Sequence, residues 1–350
     1  MSLALFSWLG RISRHSLVLI VLCTGADIAS AQILTPAERP DSLYRIVERI
    51  AGPAGIVRKN AELWVVSEDN HRVVVFSQKG RVLYSIGGDC GKIFCFPVGI
   101  ALDSHGFPYI GDSNDAVIRK VSSSSGTGSS VDTVAGSMYG CGTETVINGK
   151  ALCNPAGVVV DTNDNLYVVD TNLHAVRKVT FSTGEVKTVA GNYGCGGADG
   201  IGMNARLCRP RGIAIDAADN LYVADTGNST IRKIAPDGSV STVAGMAGAC
   251  GYVDGGRAPD GTSTARFCRP SGIAIDNLTG NLYVADTDNN TIRKITPDGQ
   301  VSTVAGKAGS RSTVLGPLPG TIAKPRGIAV IGPNQLAIGT EGNEVLGINF

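Results

Sequence analysis

"PSGIAIDNLTGNLYVADTDNNTIRKITPDGQVSTVAG" at residues 270–306 repeats, almost letter for letter, "PRGIAIDAADNLYVADTGNSTIRKIAPDGSVSTVAG" at residues 210–245. Weaker copies open at Pro53 ("PAGIV"), Pro97 ("PVGIALD"), Pro155 ("PAGVVVDTNDNLYVVDT") and Pro325 ("PRGIAV"). A period of roughly 40–60 residues marks a solenoid, propeller or array. Each copy reads as four strands. GIAID is a short β-branched run ending in an Asp-bearing turn, and NLYVADT alternates apolar and polar residues. TIRKITPDG closes in a Pro-Asp-Gly turn, and VSTVAG is the fourth strand. No stretch has helical periodicity of useful length. Four antiparallel strands in each of six copies predict an all-β, six-bladed propeller, an architecture that leaves only short sheet edges.

The sixth copy stops after its third strand, "EVLGINF". The missing strand is at the other end of the chain. "YRIVERIAG" at residues 44–52 ends in the same Ala-Gly as VSTVAG, directly before Pro53. The N-terminal strand is therefore expected to pair with the C-terminal blade and close a ring spanning residues 44–350. Residues 32–43 read as a short linker and residues 1–31 as a signal peptide. In the latter, Arg11 and Arg14 precede "LVLIVL", and "ASA" offers a cleavage site before Gln32. The apolar run is too short to span a bilayer. The expectation is a secreted or periplasmic protein without membrane insertion after cleavage. With 46 glycines in 350 residues, tight turns between short strands are expected. A net charge of +1 gives no general attraction to nucleic acid.

The unit "GIAIDxxxNLYVADTxNxTIRKI" resembles the NHL repeat, clearly in blades 4 and 5, well in blade 3 and weakly in blades 1, 2 and 6. The fuller form, with "TVAG", a Gly-rich "DG" loop and "ARF" before the next proline, is similar to the repeats of teneurins and many exported proteins. The resemblance implies a propeller and leaves no separate catalytic domain in residues 44–350. It implies less about activity, because the family includes binding modules, sensor domains and a few enzymes.

Cleavage removes Cys23 and leaves eight cysteines, an even number that in an exported protein points to disulfides. Cys95, Cys153, Cys208 and Cys268 each stand two residues before a blade-opening proline. Cys90, Cys141, Cys195 and Cys250 each follow the end of a fourth strand. The connection before Pro325 has neither. Joint presence and joint absence predict pairing within each loop: 90–95, 141–153, 195–208 and 250–268.

Residues recurring in every blade read as architecture, and residues that break the repeat are better site candidates. Asp112, Asp170, Asp225 and Asp286 recur at the end of the second strand and read as caps of their turns. The pairs Arg119–Lys120, Arg177–Lys178, Arg232–Lys233 and Arg293–Lys294 put neighbouring residues on opposite strand faces, so no single basic patch arises. Trp64, Tyr109, Tyr167, Tyr222 and Tyr283 share one strand position and read as core between blades. An amidating lyase with a related propeller carries zinc on histidines, some directly after the blade-opening proline. Here those positions hold Ala54, Val98, Ala156, Arg211, Ser271 and Arg326. His71 and His174 fall in second-to-third-strand turns and His105 on the opposite face, which does not make a three-histidine zinc site. No catalytic residue, metal ligand or cofactor site emerges.

What breaks the repeat is charge at the channel mouth. Arg211 and Arg326 flank Ser271 at equivalent positions of blades 4, 6 and 5, and two guanidiniums with a hydroxyl between them suit a carboxylate, sulfate or phosphate. The competing reading is ordinary salt bridging to turn carboxylates such as Asp225. The functional expectation is an exported, monomeric, non-catalytic binding scaffold. Its loop-rich, disulfide-tied face would meet a protein, peptide or glycan, anionic where it reaches the mouth. The alternative class is a metal-dependent lyase or hydrolase working at the central channel. Asn228, Asn277 and Asn289 begin N-x-S/T sequons.

Overall fold

Six antiparallel sheets follow one another along the chain, one for each sequence copy. The computed structural model describes residues 42–77, 80–125, 128–137, 141, 151–180 and 185–350. The expected signal peptide and most of the linker lie outside these residues. Blade 3 shows the pattern, with strands Pro155–Val160, Leu166–Asp170, Ala175–Thr180 and Glu185–Gly191 joined in sequence order. Blade 1 occupies residues 53–87, blade 2 residues 97–136, blade 4 residues 213–245, and blade 5 residues 273–306. Blade 6 is composite. Ser42–Glu48 pairs antiparallel with Glu344–Asn349, from Ser42 opposite Asn349 to Glu48 opposite Glu344. The closing strand starts two residues before the boundary expected from sequence and ends before Gly52.

The tripeptide that opens each copy, proline followed by one residue and glycine, explains how the blades meet around the axis. A Cβ added to Gly55, Gly99, Gly157, Gly212, Gly272 or Gly327 would lie no farther than 2.6 Å from a backbone carbonyl oxygen of the next blade. The oxygens belong, in that order, to Val98, Ala156, Arg211, Ser271, Arg326 and, completing the circle, Ala54. Any side chain at these six positions would push two blades apart. The same sequence of contacts puts the blades around the ring in chain order.

The core lies between blades rather than within them. One cluster joins Trp64, Val66 and Val73 of blade 1 to Ile100 and Ile110 of blade 2. Another joins Val169 and Val176 of blade 3 to Ile213 and Val223 of blade 4. A third carries Leu43 of the closing strand into the seam between blades 5 and 6, with Tyr283, Ile292, Ile328 and Leu346. Leu43 alone buries all but 2% of its surface there. Burying one such side chain contributes about 1.5–3 kcal/mol, so the N-terminal strand is part of the core and not an accessory.

The connections between blades do more than cross one face. Four disulfides tie them: Cys90–Cys95, Cys141–Cys153, Cys195–Cys208 and Cys250–Cys268. The loop before blade 4 then reaches the outer edge of that blade, where Gly200–Ile201 pairs with Ser239–Gly245. Gly316–Pro317 pairs with the closing strand in the same way, and Gly255 bridges Val301. Blades 4 and 6 therefore have five strands instead of the expected four. The added strand covers a sheet edge that would otherwise present unpaired backbone groups. Asp199, in the "DG" turn of such a loop, locks it by accepting Arg232 Nη2 at 2.6 Å and Thr242 Oγ1 at 2.9 Å.

Candidate functional site at the channel mouth

The first strands of all six blades line a central channel of about 400 Å³, walled mainly by glycine, alanine, valine and isoleucine. Its mouth lies on the face of the blade-opening prolines and the second-to-third-strand turns. A separate pocket of about 210 Å³ is set into that mouth. It is lined by Glu68, Phe96, Asn114, Asn154, Arg211 and Arg326, with Val98, Ala156, Ser113 and Thr171 between them.

Two sets of side chains hold this face rigid. At the residue after the second strand, Ser113, Thr171, Thr226 and Thr287 each donate a hydroxyl to the carbonyl of the next blade's opening proline. The distances are 2.6 Å to Pro155, 2.8 Å to Pro210, 2.7 Å to Pro270 and 2.7 Å to Pro325. In the turn that follows, a residue with positive φ accepts the N–H that precedes the next opening proline. His71 Nδ1 accepts from Phe96, His174 Nδ1 from Arg209, Ser229 Oγ from Arg269, and Asn290 Oδ1 from Lys324. Two histidines that looked like stray candidates in the sequence are thus fasteners between blades.

The aspartates at the end of the second strand do not simply cap their own turns. Asp112, Asp170, Asp225 and Asp286 each accept the backbone N–H of the disulfide cysteine that opens their own blade, at 2.7–2.8 Å. Asp225 and Asp286 also take Arg232 Nη1 at 3.0 Å and Arg293 Nη1 at 2.8 Å, with all four side chains fully buried. The arginines of the Arg-Lys pairs therefore face inward, while Lys178 and Lys233 lie over the rings of Tyr167 and Tyr222. Burial raises Asp112 to about 7 and Asp225 and Asp286 to about 6 from the ordinary 3.8. These groups are structural. Their carboxylates are spread among the blades and do not converge.

The three residues singled out at the mouth are neighbours in the ring, and the structure treats them differently. The Ser271 hydroxyl is 2.6 Å from Thr287 Oγ1 and donates to the Arg326 carbonyl at 3.1 Å, so it joins blades 5 and 6. Arg326 Nη2 is 2.9 Å from Glu68 Oε2. Glu68 Oε2 is shut off from solvent, and this ion pair is what offsets its burial. Arg211 is exposed in the mouth, and no described residue hydrogen-bonds or ion-pairs with its guanidinium. Asp225, proposed from the sequence as a salt-bridge partner, is held instead by Arg232. Enclosure and the like charge of Arg326 push the Arg211 guanidinium below its ordinary value, and burial pushes the Glu68 carboxyl above its own.

Glu68 was missed in the sequence. It occupies the position where blades 2 to 5 carry the hydroxyl fastener, and Glu341 occupies it in blade 6. A rule that looked for breaks in the repeat at this turn, as well as after the proline, would have found both. Of the sequon asparagines, Asn228 and Asn289 are buried with their amides committed to Gly196 and Gly251 carbonyls, whereas Asn277 is exposed.

Comparison with known proteins agrees with this architecture. The NHL repeat profile matches residues 152–179, 207–234 and 267–295, the first three strands of blades 3, 4 and 5. Three of the six blades of this β-propeller carry NHL repeats. NHL repeat-containing protein 2 of Bos taurus is 36% identical over 137 residues, which are 37% of this chain and 18% of that protein. Teneurin-3 of Mus musculus is 32% identical over 174 residues, 45% of this chain and 6% of that protein. The chain thus matches less than a fifth of the length of these relatives. Among solved structures, virginiamycin B lyase from Staphylococcus aureus superposes with a TM-score of 0.55 at 12% identity, over 88% of this chain and 98% of that one. At that identity the likeness is one of fold.

Proposed function

We propose that this protein is an exported, non-catalytic binding module that takes an anionic ligand at the channel mouth. One observation carries the reading: the Arg211 guanidinium, without a partner among the described residues, faces a pocket on the face that the disulfides and hydroxyl fasteners hold rigid. The rigid face fixes the backbone that carries Arg211, and charge-assisted bonds to a carboxylate are about twice as strong as neutral ones. Arg326 is kept in place beside it by Glu68, and Ser271 supports the backbone beneath.

Several observations favour binding over catalysis. The described cysteines and two of the histidines are engaged in the fold: eight cysteines in disulfides, and His71 and His174 as acceptors of backbone N–H groups. Among the described residues, the one cluster with metal-ligand character is His71 with Cys90 and Cys95, and its two thiols are oxidised. The disulfides suit an oxidising compartment and so the exported state. Among the described residues no helix is long and apolar enough to cross a membrane.

The test is a binding screen of carboxylates, sulfates and acidic peptides against the wild-type protein and Arg211→Ala. Binding that weakens as salt rises and falls at least tenfold in the variant supports the reading. Equal binding by both proteins, or turnover of a bound compound, overturns it.

A further inference from the structure

The exchange of hydroxyl for carboxylate at Glu68 has a cost that points to a ligand. Blades 2 to 5 each gain a hydroxyl bond to the next proline carbonyl at this position. Such a bond makes a modest net contribution to stability. Blade 1 gives it up and instead buries a carboxylate, which is itself unfavourable unless the charge is well paired. One ion pair, with Arg326 Nη2 2.9 Å from Glu68 Oε2, only partly offsets that cost, and burial still holds the carboxyl above its ordinary value. Architecture does not account for the substitution.

The same pocket therefore contains two complementary groups with unused capacity. Arg211 offers guanidinium donors to an anion, and the Glu68 carboxylate, whose Oε2 is turned to Arg326, can accept from a donor through its other oxygen. A simple carboxylate would satisfy the first and bring no donor to the second. Beside them stand Asn114 and Asn154, whose side-chain amides each make one weak contact among the described residues, 3.3 Å to Cys95 Sγ, a poor acceptor, and 3.4 Å to the Ser113 carbonyl. Amides both donate and accept, as hydroxyl groups require of their partners. The remaining wall is apolar: Val98, Ala156 and the 42%-exposed ring of Phe96, which His71 supports edge-on at 4.6 Å. At ~30 Å³ for each water, 210 Å³ corresponds to about seven waters, the scale of one sugar ring.

We propose that the mouth pocket binds a uronic acid residue of an anionic glycan. Arg211 holds the carboxylate, Glu68 accepts from a ring hydroxyl, Asn114 and Asn154 meet further hydroxyls, and the C–H face of the ring lies against Phe96. A zwitterionic amino acid would match Arg211 and Glu68 but offers no hydroxyls to the two amides. This assignment rests on the mouth being the ligand site, and deepens it by naming the ligand class.

The experiment is calorimetric titration of the intact exported chain with glucuronate, glucose and glutarate, and with a peptide ending in Glu. Wild type, Arg211→Ala, Arg211→Lys and Glu68→Gln are compared after thermal melts verify their folding. Glucuronate is expected to bind at least tenfold more tightly than glucose or glutarate. Arg211→Ala loses that tenfold preference over glucose, Arg211→Lys recovers part of it, and Glu68→Gln loses the preference over glutarate. If glutarate or the peptide binds as tightly as glucuronate and depends on Arg211, the uronic acid assignment fails while the mouth remains the site. If no acid binds in an Arg211-dependent way, the site itself is wrong.

Discussion

Gly157→Ala tests how tightly the ring is closed. An added Cβ would lie 2.6 Å from the Arg211 carbonyl oxygen and 3.1 Å from both Ile213 N and Cγ2. Unstrained carbon contacts begin near ~3.5 Å, so blades 3 and 4 must part by about 1 Å at the axis. Little can yield, because the closest atom, the Arg211 carbonyl oxygen, and Ile213 N are both backbone in the neighbouring blade. Gly157 itself donates to that carbonyl at 2.9 Å, and the movement stretches this bond too. Overpacking of this kind costs ~1–3 kcal/mol. Alanine recovers up to ~1 kcal/mol by restricting the unfolded chain, since Gly157 is not in the left-handed region. The net loss is about 1–2 kcal/mol, which lowers Tm by about 2–3 °C in a domain of this size. Gly256→Ala is the control. There the near atom is Gln300 Oε1, the far end of an exposed side chain that can swing away, and a change within ~0.5 kcal/mol is expected. Calorimetric melts compare the two. If Gly157→Ala melts with the wild type, the blades do not approach as closely as described and the argument from the six glycines fails.

Four further outcomes follow from the structure. Glu68→Thr places a hydroxyl where blades 2 to 5 have one; it is expected to raise stability by about 1 kcal/mol in a denaturant titration while weakening ligand binding. Asp112, Asp225 and Asp286 are raised to about 7, 6 and 6, so the folded state holds protons that the unfolded chain releases. Their stabilisation is full below pH ~4 and lost as pH rises through 6 to 7, so Tm is expected to rise between pH 7.5 and 5, and Asp112→Asn to flatten the upper part of that slope. Reduction should lower Tm in steps, because a bridge closing a loop of about fifteen residues contributes ~3 kcal/mol in the chain-entropy model. Deleting residues 42–52 strips the closing strand from Glu344–Asn349 and leaves an exposed edge; aggregation or loss of a cooperative melt is expected, and a stable monomer would contradict ring closure.

The repeat made the blades legible because each copy carries its own strand pattern and turns, and the incomplete sixth copy made the closing strand legible from Tyr44 onward. The phase of the cysteines was enough to pair them, since both partners of each bridge lie in one short connection. What escaped was contact between copies. The acceptance of the Arg209 N–H by His174 depends on a turn in one blade meeting the opening of the next, and no local pattern encodes that. Asp225 looked like the cap of its own turn because the cysteine N–H it binds is 17 residues upstream. The two-residue strand Gly200–Ile201 is too short for any periodicity. Glu68 escaped for a different reason: only the position after each proline was compared across blades, and the second-to-third-strand turn reaches the same mouth.

The most direct test of the mouth as a ligand site is NMR of the arginine side-chain Nε–H groups during titration with a bound acid. Arg211→Lys identifies the Arg211 signal by its loss. The account predicts that this signal shifts and gains protection from exchange in proportion to occupancy. The buried signals of Arg232 and Arg293, whose Nη1 groups are committed to Asp225 and Asp286, are predicted to stay where they are. An acid that binds while the Arg211 signal remains unmoved would place the ligand elsewhere on the ring and contradict the account.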